Sequence, residues 1–109
     1  MKVPEHTPDY INLPEDTLLR YSEADNLWGS DKTYMAVTEE VGELLVAMSH
    51  FRRGRVEISD VLEEMADVFI GITHLANCIS NIPSLNNRIH RKLRKLNHKL
   101  EKVDENESA

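Results

Sequence analysis

The sequence predicts an all-α fold, a helical bundle of three long helices preceded by a shorter N-terminal helix. Apolar residues recur at alternating three- and four-residue spacings, and no segment shows the apolar–polar alternation of a strand. An internal repeat supports the same conclusion, because residues 39–50 match residues 63–74 in identical or chemically similar pairs. A short linker joins the two copies, which therefore predict an antiparallel helix pair.

The composition is that of one small folded domain. The chain has 109 residues, 40% of them hydrophobic and 29% charged, so its helices are expected to share a single core. Cys78 is the only cysteine, which excludes an internal disulfide and favours a reducing, cytoplasmic setting. No apolar run approaches the ~20 residues of a membrane span, and the first residues lack a signal-peptide core.

The chain divides into an arm, a helical domain and a tail. Residues 1–14 contain three prolines and no periodic pattern, which predicts an extended N-terminal arm. The helical domain is predicted over residues 15–103, with its first helix at 15–28 ended by Gly29. The acidic residues 104–109 are expected to form a frayed tail.

Three long helices follow the first one. They are predicted at residues 32–51, 60–79 and 84–103, with Gly29-Ser30-Asp31 capping the first of them and Ser59 the second. Basic residues and a glycine at 52–55 end the 32–51 helix. The apolar stripes predicted to face the core are Tyr34, Val37, Val41, Leu44, Met48 and Phe51, and then Val61, Met65, Val68, Ile72, Leu75 and Ile79.

Both copies of the repeat carry a pair of acids at the edge of the apolar stripe. Glu40 and Glu43 stand three residues apart and share one side of their helix, as do Glu64 and Asp67. A local two-fold axis would bring the four carboxylates together, where like charges ~4 Å apart repel by about 4 kcal/mol per pair at an effective dielectric of 20. The pattern predicts a divalent-cation site, and all-oxygen ligands favour Mg²⁺ or Mn²⁺.

Two other interpretations of these acids remain open. They could form a solvated helix flank that makes salt bridges to basic residues of the last helix. A di-iron carboxylate site is the nearest alternative metal centre, but it requires a Glu-x-x-His motif. Here His50 and His74 stand seven residues after Glu43 and Asp67, a spacing that favours helix-end or supporting roles for both histidines.

Charge is distributed unevenly along the chain. Residues 1–87 contain 6 Lys and Arg against 15 Asp and Glu, whereas residues 88–102 contain 7 basic residues and one Glu. Arg91, Lys92 and Lys95 are therefore candidates to hold the phosphates of an anionic ligand. Ion pairing with the acidic body is the alternative, and nucleic-acid binding is not expected because no aromatic residues interleave with the charges.

The double acidic motif carries a family resemblance that covers residues 27–100. Glu39-Glu40-x-x-Glu43 followed by Glu63-Glu64-x-x-Asp67 resembles the all-α nucleotide pyrophosphohydrolase superfamily, and within it the MazG-like proteins. The likeness extends to Leu27-Trp28-Gly29 before the second helix, Phe51-Arg52-Arg53-Gly54 after it, and the run Glu64-Met65-Ala66-Asp67-Val68.

The resemblance implies a hydrolase that cleaves a (deoxy)nucleoside triphosphate to a monophosphate and pyrophosphate. It implies a Mg²⁺ ion held by Glu40, Glu43, Glu64 and Asp67, and Glu39 as the acid that activates water. Separately from the resemblance, Trp28 or Tyr34 is a candidate to stack on a base, with core packing as the alternative.

Three further expectations complete the functional hypothesis. A phosphoribosyl-ATP pyrophosphohydrolase, or a non-catalytic helical interaction module, would carry related features. The small size of the chain favours a homodimer or homotetramer. Neither a membrane nor a nucleic acid is expected as a partner.

Overall fold

The computed structural model describes residues 7–108 and confirms the all-α prediction. Its four helices are α1 (Thr17–Trp28), α2 (Ser30–Arg52), α3 (Ile58–Ile79) and α4 (Ile82–Ser108), and no strand occurs among the described residues. The first six residues of the predicted arm and the last residue of the tail lie outside this range. No single described helix combines the length and apolar content needed to cross a membrane; only the bent pair α3 plus α4 does, by length and composition alone.

The chain forms two compact units. One, Pro14–Ser80, contains α1, α2 and α3, and the other contains the N-terminal segment together with α4. All four repeated acids belong to the first unit, so the helices that position the candidate site are α1, α2 and α3.

The end of α2 is the one that the sequence predicts. The Gly54 N–H donates to the Phe51 carbonyl at 3.0 Å, and the Arg55 N–H donates to the His50 carbonyl at 2.9 Å. This pair of bonds is a Schellman motif, and it requires the positive φ of 70° that Gly54 adopts. The motif turns the chain sharply enough for α3 to begin at Ile58.

The beginnings of α2 and α3 differ from the prediction. Ser59 does not cap α3; Glu57 is its N-cap and forms a capping box with Asp60, whose Oδ2 accepts the Glu57 N–H at 2.9 Å. A carboxylate can cap a helix as well as a hydroxyl can, because its negative charge is also stabilised by the positive N-terminal end of the helix dipole. Helix α2 starts at Ser30 with Gly29 as its N-cap, so the predicted capping segment 29–31 contains the cap, but Ser30 and Asp31 already lie inside the helix.

Helix α4 is longer than predicted at both ends. It begins at Ile82 because the Asn81 side chain accepts the Ser84 N–H at 2.8 Å, which places Pro83 in the first turn, where a proline is tolerated. It continues to Ser108. The predicted fraying of the tail is therefore wrong for residues 104–108, which are helical. That stretch contains no glycine or proline that would end the helix.

Helices α2 and α3 pack closely and antiparallel. A Cβ placed on Gly71 of α3 would lie 3.1 Å from Val37 Cγ2 of α2, so the glycine allows the two backbones to approach. Farther along α2, the Glu43 carboxylate approaches that of Glu64, which stands earlier in α3. Positions that rise along α2 therefore meet positions that fall along α3, as the repeat predicts.

The interior of this three-helix unit is small and partly polar. Tyr21 and Val68 are its buried apolar residues, while Thr33 and Thr73 are buried polar ones. The Tyr21 hydroxyl lies 2.8 Å from Thr73 Oγ1, which also donates to the Ile70 carbonyl at 3.0 Å. A hydrogen-bonded tyrosine from α1 thus holds α1 against α3.

Half of the predicted core stripe of α3 is wrong, because three of its six residues are exposed, while Val61 and Leu75 are half-buried. Met65, Ile72 and Ile79 are 51%, 42% and 61% exposed, and Val68 alone of the stripe is buried. Apolar residues occur around most of the circumference of α3, so periodicity could not single out the face that meets α2. On α2, Tyr34, Val41, Met48 and Phe51 are also exposed, whereas Val37 and Leu44 are half-buried.

In the second unit, two side chains of α4, Asn86 and His90, hold the N-terminal segment against the helix. Asn86 accepts the Tyr10 N–H at 2.8 Å and donates to the Pro8 carbonyl at 2.7 Å. The Tyr10 ring stacks on His90 with centroids 6.0 Å apart, and Ile11 is buried. The described part of the predicted arm is irregular, as expected, and it is also docked on a helix.

We expect Gly29→Ala to destabilise the protein. Gly29 joins α1 to α2 with φ 83° and ψ 153°, a conformation that costs a residue with a Cβ about 1–3 kcal/mol. An added Cβ would meet no atom within 4 Å, so backbone strain alone would account for the loss. The measurement is the free energy of unfolding in a denaturant titration.

Gly42→Ala is the matched control for this substitution. Gly42 lies inside α2, also with open space around its Cβ position, and the same change there should stabilise the helix by about 1 kcal/mol. Equal effects at the two positions would contradict the role assigned to Gly29.

Candidate functional site

Three of the four repeated acids meet at one place. Single carboxylate oxygens of Glu40, Glu43 and Glu64 all lie within 4.8 Å of one another. Helix α2 supplies the first two from adjacent turns, and the antiparallel α3 brings Glu64 against them. The structure thus brings together the acids of the two motifs, as their spacing predicts.

The electrostatics of the cluster are unfavourable for bare carboxylates. Desolvation first, and then the charges of Glu43, Asp67 and Glu64, raise the pKa of Glu40 above its ordinary value. Desolvation followed by Glu43 and Asp67 does the same to the pKa of Glu64. Among the described residues, the Oε2 atoms of Glu40 and Glu64 are buried without a hydrogen-bond partner. Both oxygens lack the compensation that buried polar atoms normally have.

A cavity of about 430 Å³ adjoins the acids within the same unit. Glu40 and Asp67 line it, so Asp67 belongs to the site although it is not one of the three closest carboxylates. Its other walls combine aromatic, small and cationic residues: Arg20, Tyr21, Ala24, Trp28, Gly29, Lys32, Thr33, Ala36, Val37, Ile70, Gly71 and His74. This volume and mixture are typical of small-molecule sites.

The remaining predicted site residues are placed as follows. Trp28 lines the cavity and is 62% exposed, which makes it available to a ligand and not part of a core. Glu39 is exposed and lies outside the group of three carboxylates. Arg91, Lys92 and Lys95 line a groove along α4 in the other unit, so their assignment to phosphates stays a prediction.

Sequence reasoning missed a second polar cluster at the same cavity. Asp25 Oδ1 lies 2.8 Å from His74 Nε2, and Asp25 Oδ2 accepts a hydrogen bond from the Cys78 thiol at 3.0 Å. Thr33 donates to Asp25 at 3.2 Å, and the Tyr21 ring stacks on His74 at 4.5 Å. The available signal was His74-x-x-x-Cys78, which places both side chains on one face of α3.

The contacts of this cluster shift two pKa values in opposite directions. The hydrogen bond donated by Cys78 lowers the pKa of Asp25 and outweighs the opposite effect of burial. Desolvation, followed by the hydrogen bond to Asp25, raises the pKa of Cys78 to about 11. In this arrangement the thiol keeps its proton at neutral pH, and the carboxylate is ionised.

No family model, curated protein or solved structure matches this chain.

We expect Glu40→Gln to raise the melting temperature of the chelator-treated protein at pH 7. A pKa raised in the folded state means that Glu40 contributes stability below its ordinary pKa of 4.5 and loses that contribution as pH rises through the folded value. Glutamine removes the charge, so its advantage should shrink as the pH falls to 4.5. Thermal unfolding monitored by circular dichroism across this pH range provides the measurement.

Glu39→Gln is the control for this measurement, because it removes the same charge from the exposed neighbouring position. It should change the melting temperature less than Glu40→Gln at pH 7. A lower melting temperature for Glu40→Gln in chelator would show that the acids stabilise each other.

Proposed function

We propose that this protein is a Mg²⁺-dependent pyrophosphohydrolase of the MazG-like type, acting on a (deoxy)nucleoside triphosphate. The observation that carries the proposal is the convergence of Glu40, Glu43 and Glu64 beside a cavity, with two buried carboxylate oxygens left unpaired. The resemblance of the double motif supplies the reaction class, and the observed geometry agrees with it.

The residues present fit a divalent cation. Glu40, Glu43, Glu64 and Asp67 would hold it through carboxylate oxygens, a donor set suited to Mg²⁺ or Mn²⁺. A bound cation would neutralise the acids, lower the pKa of a water molecule and stabilise the charge that develops on the departing pyrophosphate. The unpaired oxygens of Glu40 and Glu64 would then gain a partner.

The cavity supports a nucleoside as the organic part of the substrate. Trp28 and Tyr21 supply aromatic rings, Thr33 and His74 supply hydrogen-bonding groups, and the adjacent acids mark where the phosphates would lie. Apolar surroundings and a few polar groups can orient a base and a sugar there.

Basic residues would bind the phosphates, and an acid would activate the attacking water. Arg20 and Lys32 line the same cavity as Glu40 and Asp67, which supplies cationic groups to a polyanionic ligand bound there. Glu39 follows from the motif as the acid that accepts a proton from the attacking water, and its exposed position leaves it accessible to solvent. Arg91, Lys92 and Lys95 stay candidates for the outer phosphates.

Two rival functions make different predictions at the same site. A phosphoribosyl-ATP pyrophosphohydrolase would use the same acids on a different nucleotide. A non-catalytic helical module would need none of them, and its surface alone would matter. The crowded carboxylates favour a metal-dependent hydrolase, whichever nucleotide it acts on, over the non-catalytic module, because without a cation their repulsion opposes folding.

The first experiment is a pyrophosphate-release assay. The substrates are standard and damaged nucleoside triphosphates together with phosphoribosyl-ATP, each with Mg²⁺, with Mn²⁺ and with chelator. We expect metal-dependent release from one or a few of them. Release from phosphoribosyl-ATP alone would favour the phosphoribosyl-ATP pyrophosphohydrolase. If no substrate releases pyrophosphate and calorimetry detects no metal binding, the non-catalytic module would be favoured.

Glu40→Gln should lower kcat/KM by at least about 100-fold, since it removes an oxygen from the metal site while leaving the helix intact. Glu105→Gln is the matched control, because Glu105 is an exposed acid near the end of α4. Unchanged turnover in Glu40→Gln would refute the site assignment.

We further propose that the protein associates with a second copy of itself. Exposed apolar residues follow helical spacing on both helices of the central pair: Val41, Leu45 and Met48 on α2, and Leu62, Met65, Phe69 and Ile72 on α3, each between 39% and 62% exposed. Only Ile11, Tyr21 and Val68 are buried apolar residues in the described part of the chain. So small a core leaves much apolar surface for an identical partner to cover, which favours a homodimer or homotetramer.

Phe69→Glu should shift the protein to a smaller species, because it puts a charge into the stripe of α3, where Phe69 is 47% exposed. Light scattering coupled to size-exclusion chromatography gives the mass of each species. Leu19→Glu is the control on α1, where Leu19 is 62% exposed outside the stripe, and its mass should equal that of the wild type. A monomeric wild type would contradict the proposal.

A further inference from the structure

The cluster around Asp25 gathers three different kinds of ligand atom. Helix α3 presents His74 and Cys78 one turn apart on the same face, and α1 presents Asp25 to both of them. One nitrogen, one sulfur and one oxygen from these residues all lie within 4.8 Å of one another. The group is distinct from the acid cluster, with which it shares no residue.

The ligand atoms are held in place by neighbouring groups. The ring of Tyr21 stacks on His74 with an interplanar angle of 7°, and the Tyr21 hydroxyl is itself bound to Thr73. The side chains of His74 and Asp25 are only 18% and 20% exposed. The cluster is therefore ordered and mostly enclosed, yet still open to a small ion.

The donor set selects a zinc-like ion in preference to magnesium. Zinc takes thiolate, imidazole and carboxylate together, at about 2.3, 2.0 and 2.0 Å, so tetrahedral ligands of these kinds stand about 3.3–3.5 Å apart. The observed pairs, 2.8 Å for His74 Nε2 with Asp25 Oδ1 and 3.0 Å for Cys78 Sγ with Asp25 Oδ2, would each open by about half an ångström. Because the two pairs use different oxygens, Asp25 would hold the ion with both oxygens or turn its carboxylate to present one of them. Magnesium avoids sulfur, so the two clusters differ in the ion that they favour.

A fourth ligand position has a candidate within the same group. Thr33 Oγ1 lies 3.2 Å from Asp25 Oδ1 and 3.5 Å from His74 Nε2. Its hydroxyl, or a water molecule bound to it, stands where it can complete or support a tetrahedral set.

We propose that Asp25, His74 and Cys78 form a zinc-binding site. On binding, the Cys78 thiol releases its proton to solvent and coordinates as the thiolate. The imidazole moves its Nε2 proton to Nδ1 by exchange with solvent, and it then coordinates through Nε2, the nitrogen that faces Asp25. Asp25 exchanges its hydrogen bonds from Cys78 and His74 for a bond to the ion, so zinc crosslinks α1 to α3.

Cobalt substitution tests this site, because a thiolate bound to Co²⁺ gives a sulfur-to-metal charge-transfer band that carboxylates do not give. Chelator-treated full-length protein is titrated with Co²⁺ and then with Zn²⁺. We expect the band to saturate at one equivalent per chain and to disappear as Zn²⁺ displaces the cobalt. Absence of the band overturns the proposal.

Variants identify the ligands. Cys78→Ser should abolish the band, and His74→Gln and Asp25→Asn should each weaken cobalt binding by at least about 10-fold. His90→Gln is the matched control, because His90 is a buried histidine that stacks on Tyr10 in the other unit. An unchanged affinity in both His74→Gln and Asp25→Asn would mean that Cys78 binds cobalt alone, which refutes the three-ligand site.

Glu40→Gln separates this proposal from the proposed enzymatic function. It should leave the cobalt band unchanged while it lowers turnover, and loss of the band would mean that the two clusters form one site. A measurement on the unmodified protein covers variants that fail to fold. One equivalent of Zn²⁺ should slow alkylation of Cys78 at least 10-fold over a Mg²⁺ control, and equal rates would contradict zinc ligation.

Discussion

Close packing of α2 against α3 is the constraint on which the rest of the three-helix unit depends. Gly71 lets the backbone of α3 approach Val37 of α2, and that approach fixes how far apart the carboxylates of Glu40 and Glu64 lie. Wider spacing would relieve their repulsion but would also open the interior around Val68. Packing energy thus holds like charges together, and a cation can remove the resulting penalty.

Most apolar side chains of the described residues lie at the surface, so burial in the interior alone does not account for the stability of the fold. Thr73 is the only fully buried side chain among the described residues, and it is polar. Its hydroxyl, the Tyr21 hydroxyl and the Ile70 carbonyl satisfy one another where α1 meets α3. The long aliphatic residues of α2 and α3 lie outside this centre, so their burial requires a second surface. The crowded acids favour a cation, and the exposed stripes are the surface that the proposed second copy would cover.

The sequence predicts those features of the fold and site that local spacing determines. Alternating three- and four-residue spacing gives the helices, Gly54 gives the end of α2, and the repeated acids give the cluster. It does not predict which face of α3 meets α2, because apolar residues surround that helix. It also misses contacts between residues far apart in the chain, such as Asp25 with Cys78 and Asn86 with Pro8, since each depends on how two elements pack.

The cavity connects two groups of ligand atoms with different chemical preferences. Glu40 and Asp67 line it with oxygen donors, while His74 and Thr33 line it beside the Asp25 cluster. A hard ion gains most from the carboxylates and a softer one from the thiolate and imidazole, so each group is a poor competitor for the other's ion. Tyr21 stacks on His74 and also lines the cavity. An ion bound at the Asp25 cluster would therefore fix the orientation of an aromatic wall of the cavity without touching the repeated acids Glu40, Glu43, Glu64 and Asp67.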